Sequence, residues 1–244
     1  EMGYLAACLN YMASEIARSE DDQKKFVANV SHDFRSPLTS IKGYLEAMID
    51  GTIPPELHEK YLQIVLNETD RLTKLTNSLL TLNNLNTKGM LLDKTDFDIN
   101  KVIRNTAASF EGTCRKKKLA IELILTGNTM YVNADMGKIQ QVLYNLLDNA
   151  IKYSAPGGRI TVKLWAGEYK AFVEILDQGR GIPPEDLENV KTKFYKGSNS
   201  VRGSGIGLAL VDSIMTALDG TMDIKSTLGR GTVVTLGLPL YHKA

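Results

Sequence analysis

The sequence predicts two architectures in tandem: an antiparallel helical hairpin that completes itself as a dimeric bundle, then an α/β sandwich with a helical layer on one sheet face. Three observations carry this reading. From Leu5 to Leu82 a seam of mostly apolar residues follows three- and four-residue steps or their sums. That period is interrupted at Gly51-Thr52-Ile53-Pro54-Pro55. Beyond the polar stretch 83–89, short alternating or continuous apolar runs interleave with new helical patterns.

The first helix is written from Leu5 through Leu9, Met12, Ile16, Ser19, Gln23, Phe26 and Val30, alternating steps of four and three that make a heptad seam. So narrow a seam suits a partner helix; an amphipathic helix of a monomer is the plainer alternative. The period continues through Ile41, Leu45, Met48 and Ile49. Gly51 then stops the helix and Pro54-Pro55 opens the next. Leu57, Tyr61, Ile64, Leu72, Leu75, Leu79 and Leu82 mark the second helix. Neither helix can bury its stripe alone, so a homodimeric four-helix bundle completes the hairpin. In the back half, 99–118 reads as one helix, 119–125 as a strand and 140–152 as a strongly apolar helix. Strands 159–165 and 171–177 flank a turn at Ala166-Gly167-Glu168, followed by a helix at 206–218 and a closing strand at 233–238, with antiparallel connections expected.

A length of 244 residues corresponds to one or two domains. Hydrophobic residues at 43% and charged residues at 23% exclude a disordered chain. With 29 basic and 28 acidic residues, no surplus of positive charge exists to hold nucleic acid or anionic lipid, so no direct nucleic-acid partner is expected. Cys8 and Cys114 fit neither a metal spacing nor a disulfide framework, which points to a reducing compartment. No apolar run reaches the roughly 18 residues of a bilayer span and no signal peptide opens the chain. It reads as a soluble piece, compatible with excision from a larger membrane protein.

Residues with chemistry cluster in four places. In Ser31-His32-Asp33-Phe34-Arg35-Ser36-Pro37-Leu38, His32 falls two positions beyond the seam residue Val30 and is expected on the outer face. A carboxylate at Asp33 can take a proton from one ring nitrogen and leave the other free to attack. Pro37 inside a helix costs about 3 kcal/mol and weakens it locally; a plain helix break is the alternative, against which the period continues. Asn145 and Asn149 share one face of an apolar helix, where carboxamides serve as oxygen ligands to a magnesium ion shared with phosphates, and Lys152 adds a point charge. An exposed polar face is the ordinary reading of that segment. Asp177-Gln178-Gly179-Arg180-Gly181-Ile182 ends a strand and can offer a carboxylate to an exocyclic amine, although such a run is often only a turn. Gly203-Ser204-Gly205-Ile206-Gly207-Leu208 lets backbone approach phosphates at a helix start. Lys191, Lys193, Lys196 and Arg202 flank it as a local basic cluster, within a flap over a nucleotide. His58 and His242 have no chemical neighbourhood in the sequence.

In this fixed order the motifs make the chain resemble the bacterial sensor histidine kinases of two-component systems across nearly its whole length. Ser31 to Leu38 resembles the histidine box, Asn145 to Asn149 the asparagine box, and Asp177 to Gly181 and Gly203 to Gly207 the two glycine boxes; Gly229-Arg230-Gly231-Thr232 resembles the closing glycine segment. The opening Glu1-Met2-Gly3 with Leu5, Leu9, Asn10 and Met12 resembles the last helix of a HAMP domain, which implies the cytoplasmic portion of a membrane-anchored receptor. The resemblance implies a signalling helix at 1–24, a dimerisation and phosphotransfer hairpin at 25–88, a linker at 89–95 and an ATP-binding domain of the histidine kinase/gyrase type at 96–241. It implies His32 as phosphoacceptor with Asp33 as acid/base partner, Asn149 as magnesium ligand supported by Asn145, Lys152 on phosphates, Tyr153 near adenine and Asp177 on its amino group. Gly179, Gly181, Ile182, Arg202, Gly203, Ser204, Gly205, Ile206, Gly207, Leu208 and Thr232 would complete the ATP site, and Lys196 stands where an arginine often faces the γ-phosphate. The implied activity is ATP- and Mg²⁺-dependent autophosphorylation, transfer to an aspartate of a response regulator, and phosphatase action on that regulator. The chain departs from the pattern at Asp33 for Glu, Ser36 for Thr, Lys191 at a usual aromatic position, and a short flap after Tyr195. A related ATPase of the gyrase and mismatch-repair type is the competing enzyme reading, against which Asn145 stands where those use glutamate. A non-catalytic scaffold is the other.

Overall fold

The computed structural model describes residues 2–86, 92–193, 195 and 204–240, with side chains described for 23–83, 92–193, 195 and 204–240. The expected heptad seam before residue 23 therefore lies outside the described side chains, and Lys196, Arg202, Gly203 and His242 lie outside the described residues. The chain divides into two compact units, Glu1–Asn77 and Ser78–Ala244.

In the first unit, helix α1 (Met2–Ile49) runs unbroken through Pro37, so the apolar period outweighs the lost hydrogen bond. Gly51 turns the chain, Thr52 N–H donates to the Asp50 carboxylate at 2.9 Å, and Ile53 N–H donates to Ala47 O at 2.8 Å while its side chain is buried. A short 3₁₀ turn (Pro55–Leu57) leads into α2 (His58–Asn86). His58, without a role in the sequence, closes this turn: its Nε2 lies 3.0 Å from Ile53 O. Tyr44 and Tyr61 meet across the hairpin with ring centroids 5.2 Å apart. Val27, Leu38, Leu45, Ile49, Leu62 and Leu66 remain exposed, an apolar surface too large for one hairpin to cover.

In the second unit, β1 (Lys94–Asp98) and β3 (Tyr131–Asp135) form a two-stranded antiparallel ribbon. The single helix expected at 99–118 is two, α3 (Ile99–Ser109) and α4 (Glu111–Lys117). They break at Phe110, whose buried ring packs on Tyr144 at 4.6 Å. Strands β2 (Ala120–Leu125), β4 (Arg159–Ala166), β5 (Lys170–Asp177), β6 (Thr221–Thr227) and β7 (Gly231–Pro239) form a sheet in the order β2-β4-β5-β7-β6. The antiparallel connections expected throughout hold for β4–β5–β7–β6, but β2 runs parallel to β4, because helix α5 (Met136–Tyr153) intervenes as a crossover. Short α6 (Pro184–Leu187) and α7 (Gly207–Ala217) complete the unit.

The rows Leu164–Val173–Leu236 and Val162–Ile175–Val234 run across the sheet and are buried beneath the helices. Leu143, Leu147 and Ile151 of α5 and Leu210 and Ile214 of α7 fill the other side of this core. Helices α3 and α5, which each follow directly on a strand, start on a carboxylate: Asp98 accepts from Asn100 N–H at 3.1 Å, and Asp135 from Lys138 N–H at 3.0 Å.

Two glycines hold the sheet's end together. Gly181 has φ +70°, and a Cβ there would collide with Thr227 O; Gly231 has φ +116°, and a Cβ would collide with Asp177 O. Gly181→Ala is therefore expected to unfold or strongly destabilise the second unit. Gly112→Ala, in exposed helix with open space around it, is expected to gain about 0.5–1 kcal/mol. Thermal melts of the two variants check the contrast.

Candidate functional site

The first unit presents His32. Its side chain is 78% exposed, while that of the adjacent Asp33 is 5% exposed, with Nδ1 of the ring 3.5 Å from Asp33 Oδ1. The carboxylate faces one ring nitrogen, and Nε2 points away from it. Ser36, four residues on along the same helix face, is also exposed, and Pro37 beside it is buried.

The second unit builds a pocket from three backbone turns around Asp177. At the end of β5 its Oδ1 accepts from Gly179 N–H at 2.8 Å and Thr232 N–H at 3.3 Å. Burial pushes this carboxyl above the usual carboxylate range, against the two amides, which favour the ionised form. Gly179 bridges to Ser154, and Arg180 N–H reaches Tyr153 O at 3.4 Å, which ties the glycine turn to the end of α5. Gly229 N–H donates to Arg180 O at 2.7 Å, tying the same turn to the β6–β7 connection. Ser226 is the bolt between them: its Oγ accepts from Ile182 N–H at 2.8 Å, donates to Gly231 O at 2.9 Å and lies 2.8 Å from Thr232 Oγ1.

Helix α5, whose end meets the glycine turn at Tyr153 and Ser154, carries both carboxamides. Asn145 Nδ2 is buried with no hydrogen-bond partner among the described residues, a cost that a polar ligand can relieve. Asn149 Nδ2 lies 3.6 Å from the position a Cβ on Gly207 would take, so the carboxamide abuts the start of α7. That helix begins without a side-chain cap after Ile206, leaving its first amides available to an anion. Ile206 is buried and offers main chain only; Ser204, Gly205 and Leu208 are half-buried around it. Among the described residues no cluster of three or more His, Cys, Asp or Glu could hold a metal. A divalent ion here has to take ligands from a carboxamide oxygen and phosphates, which fits the Asn149 position.

Several expected residues have other engagements. Lys152 Nζ and Arg180 Cζ lie 4.8 and 4.6 Å from the Tyr153 ring centroid, so the ring expected beside adenine carries two cations. Lys191, expected in the basic flap cluster, pairs with Asp212 at 3.3 Å and donates to Met222 O at 3.0 Å, which anchors it to α7 and β6. Tyr195 donates to buried Asp186 at 2.5 Å, and that bond pushes its hydroxyl above the usual tyrosine range. Two supports were invisible in the sequence. Ser226 reads as an ordinary strand residue. Lys117 donates to Ile151 O at 2.8 Å and Lys152 O at 3.2 Å, capping the helix that carries both asparagines; only the basic last turn of α4 hinted at such a role.

Residues 134–242 match the family model for histidine kinase-, DNA gyrase B- and HSP90-like ATPases, and 22–88 match the His Kinase A (phospho-acceptor) domain. The sensor histidine kinase WalK of Bacillus subtilis is 33% identical over 238 residues, which covers 94% of this chain and 38% of that protein. The chain thus spans well under half the length of the curated relatives it matches. The solved structure of Acinetobacter baumannii histidine kinase AdeS superimposes with TM-score 0.72 at 30% identity, covering 86% of this chain and 98% of that one. Histidine kinase ThkA, solved in complex with the response regulator protein TrrA, gives TM-score 0.72 at 27% identity over 89% of this chain and 61% of that one.

Removing the cap tests its weight. Lys117→Met is expected to lower unfolding free energy by about 1–3 kcal/mol, with Lys117→Arg recovering most of the loss. Urea denaturation followed by the fluorescence of Trp165 reads both.

Proposed function

Because this chain belongs to the sensor histidine kinases of two-component systems, we propose that it phosphorylates its own His32 from ATP and passes the phosphoryl group to an aspartate of a response regulator. The observation that carries the reading is an exposed imidazole backed by a buried carboxylate, on a chain whose phosphate pocket contains no carboxylate at Asn145. A carboxamide cannot take a proton from water, which disfavours hydrolysis of the gyrase type.

In the proposed reaction Nε2 of neutral His32 attacks the γ-phosphorus in line, a nitrogen–phosphorus bond forms, and the bond to the β-phosphate oxygen breaks with its electron pair leaving on ADP. Asp33 orients the ring through Nδ1 and takes up the proton that Nδ1 sheds as the adduct neutralises. Asp177 selects adenine by accepting from its exocyclic amine, while the open amides of α7 and the side chains of Asn145 and Lys152 steady the phosphates. Lys196 and Arg202 are assigned to the phosphate side. Asn149 would hold a magnesium ion, which when bound would supply neutralisation of the developing charge. Lys152, drawn to Tyr153 in the free chain, has to leave the ring to reach phosphate. Ser36, on the face of His32, holds the water that releases phosphate from the regulator. The exposed apolar residues of the hairpin support a homodimer through the bundle, and a membrane-anchored parent agrees with the HAMP-like opening.

With γ-labelled ATP, His32→Gln is expected to lose label entirely while binding nucleotide normally, and Asn149→Asp to lose both label and Mg·ATP affinity. Label on His32→Gln equal to the parent chain refutes the acceptor. The raised carboxyl of Asp177 adds a pH signature. Its ionised form binds the amine, so that contribution is present above its folded pKa and is lost as pH falls through it, earlier than for an ordinary carboxyl. Calorimetric titration of ADP between pH 8 and 5 is expected to show a steeper decline in the parent chain than in Asp177→Asn, since phosphate titration is common to both.

A further inference from the structure

Strand β2 is an edge with nothing beside it among the described residues. Ala120 N–H donates to Gly158 O at 3.2 Å and Thr126 N–H to Leu164 O at 2.9 Å, so the even-numbered residues direct their main chain to β4. Ile121, Leu123 and Leu125 consequently turn their N–H and C=O groups outward. Sheet edges are ordinarily blunted by lysine, proline or a bulge. The opposite edge, β6, carries exposed Asp223 and Lys225. The sequence Ala-Ile-Glu-Leu-Ile-Leu of β2 has no such device: its one charge, Glu122, is paired with Arg159 at 3.3 Å, and Ile124 is 49% exposed.

Alongside this edge the helical layer extends past the sheet. A groove of about 490 Å³ lies between β2 and the α3–α4 pair, floored by Ala107, Cys114, Ile121 and Leu123, the place where one more strand would cover the helices. Its lips are charged unequally. On α4, Glu111 and Arg115 neutralise each other at 3.0 Å. On α3, exposed Arg104 lines the groove and makes no ion pair among the described residues, and exposed Lys101, likewise without an ion pair among them, lies one turn before it, outside the lining.

We propose that β2 and this groove are a docking site for an extended acidic segment of a partner protein, added to the sheet as a sixth strand. Main-chain bonds to Ile121, Leu123 and Leu125 hold the segment, alternate apolar side chains enter the groove, and carboxylates meet Lys101 and Arg104. A second copy is the poorer occupant, because a β2–β2 pair brings the same edge again, whose carboxylates Glu122 and Glu111 are already engaged by Arg159 and Arg115, and adds another Arg104.

The test uses the full chain with two blocked peptides, Glu-Val-Glu-Val-Glu-Val-Glu and its lysine counterpart, read by fluorescence anisotropy and amide hydrogen exchange. The acidic peptide is expected to slow exchange at Ile121, Leu123 and Leu125 while leaving β6 unchanged, and to bind Arg104→Glu and the lysine peptide to bind the parent chain each about tenfold or more weakly. No added protection on β2, or undiminished binding to Arg104→Glu, overturns the proposal. So does protection of β2 that rises with protein concentration without peptide, which identifies a second copy as the occupant.

Discussion

Asp177 is the constraint from which the geometry of the proposed nucleotide site follows. Even half-buried at the end of a strand, a carboxylate is costly unless amides converge on it. The chain meets that demand with Gly179 and Thr232 N–H groups delivered from two different turns. Those turns approach each other so closely that glycine is required at positions 181 and 231. The same closeness draws in Tyr153 O at the end of α5 and Ser226 near the end of β6. Orientation of one acidic group thus fixes the mutual position of β5, α5 and β7, and with it the line from Asn145 to the uncapped start of α7. Stability and chemistry share the same hydrogen bonds here.

His32 is organised in the opposite way. Its helix needs no convergence of distant segments, only a buried acid next to an exposed base. Donor chemistry demands a rigid, dry, polar cradle; acceptor chemistry demands reach. In the proposed reaction the first falls to a mixed sheet and the second to a helical hairpin, which would match each task to its structure. A carboxamide rather than a carboxylate at Asn145 fits the same proposal, since a site that activated water would consume its own phosphoryl donor.

Much of this was legible beforehand wherever the signal was local. The helical hairpin follows from the spacing of Leu5 to Leu82 and the Gly51–Pro55 interruption, and the glycine turns follow from residues that tolerate close backbone approach. Reading failed where partners are far apart. Strands β1 and β3, each five residues long and interrupted by polar residues, pair with one another across more than thirty residues, so neither shows a run of its own. The break at Phe110 carries no glycine or proline; tertiary packing of the ring on Tyr144 ends the helix. The parallel seating of β2 depends on a crossover that periodicity does not encode. Lys117 and Ser226 look like surface and strand residues until the carbonyls and amides they satisfy, many positions away, come into view. The cations on Tyr153 were equally hidden, because each ring contact depends on turn geometry.

The central claim is that phosphate from the pocket around Asp177 comes to rest on the imidazole of His32. Mass spectrometry of the intact chain after incubation with Mg·ATP, followed by fragmentation at alkaline pH, tests it most directly. One added phosphoryl group is expected, stable to alkali, lost in acid and localised to His32. A phosphoryl group stable to acid on a hydroxyl residue, or none at all on chain that binds ATP, contradicts it.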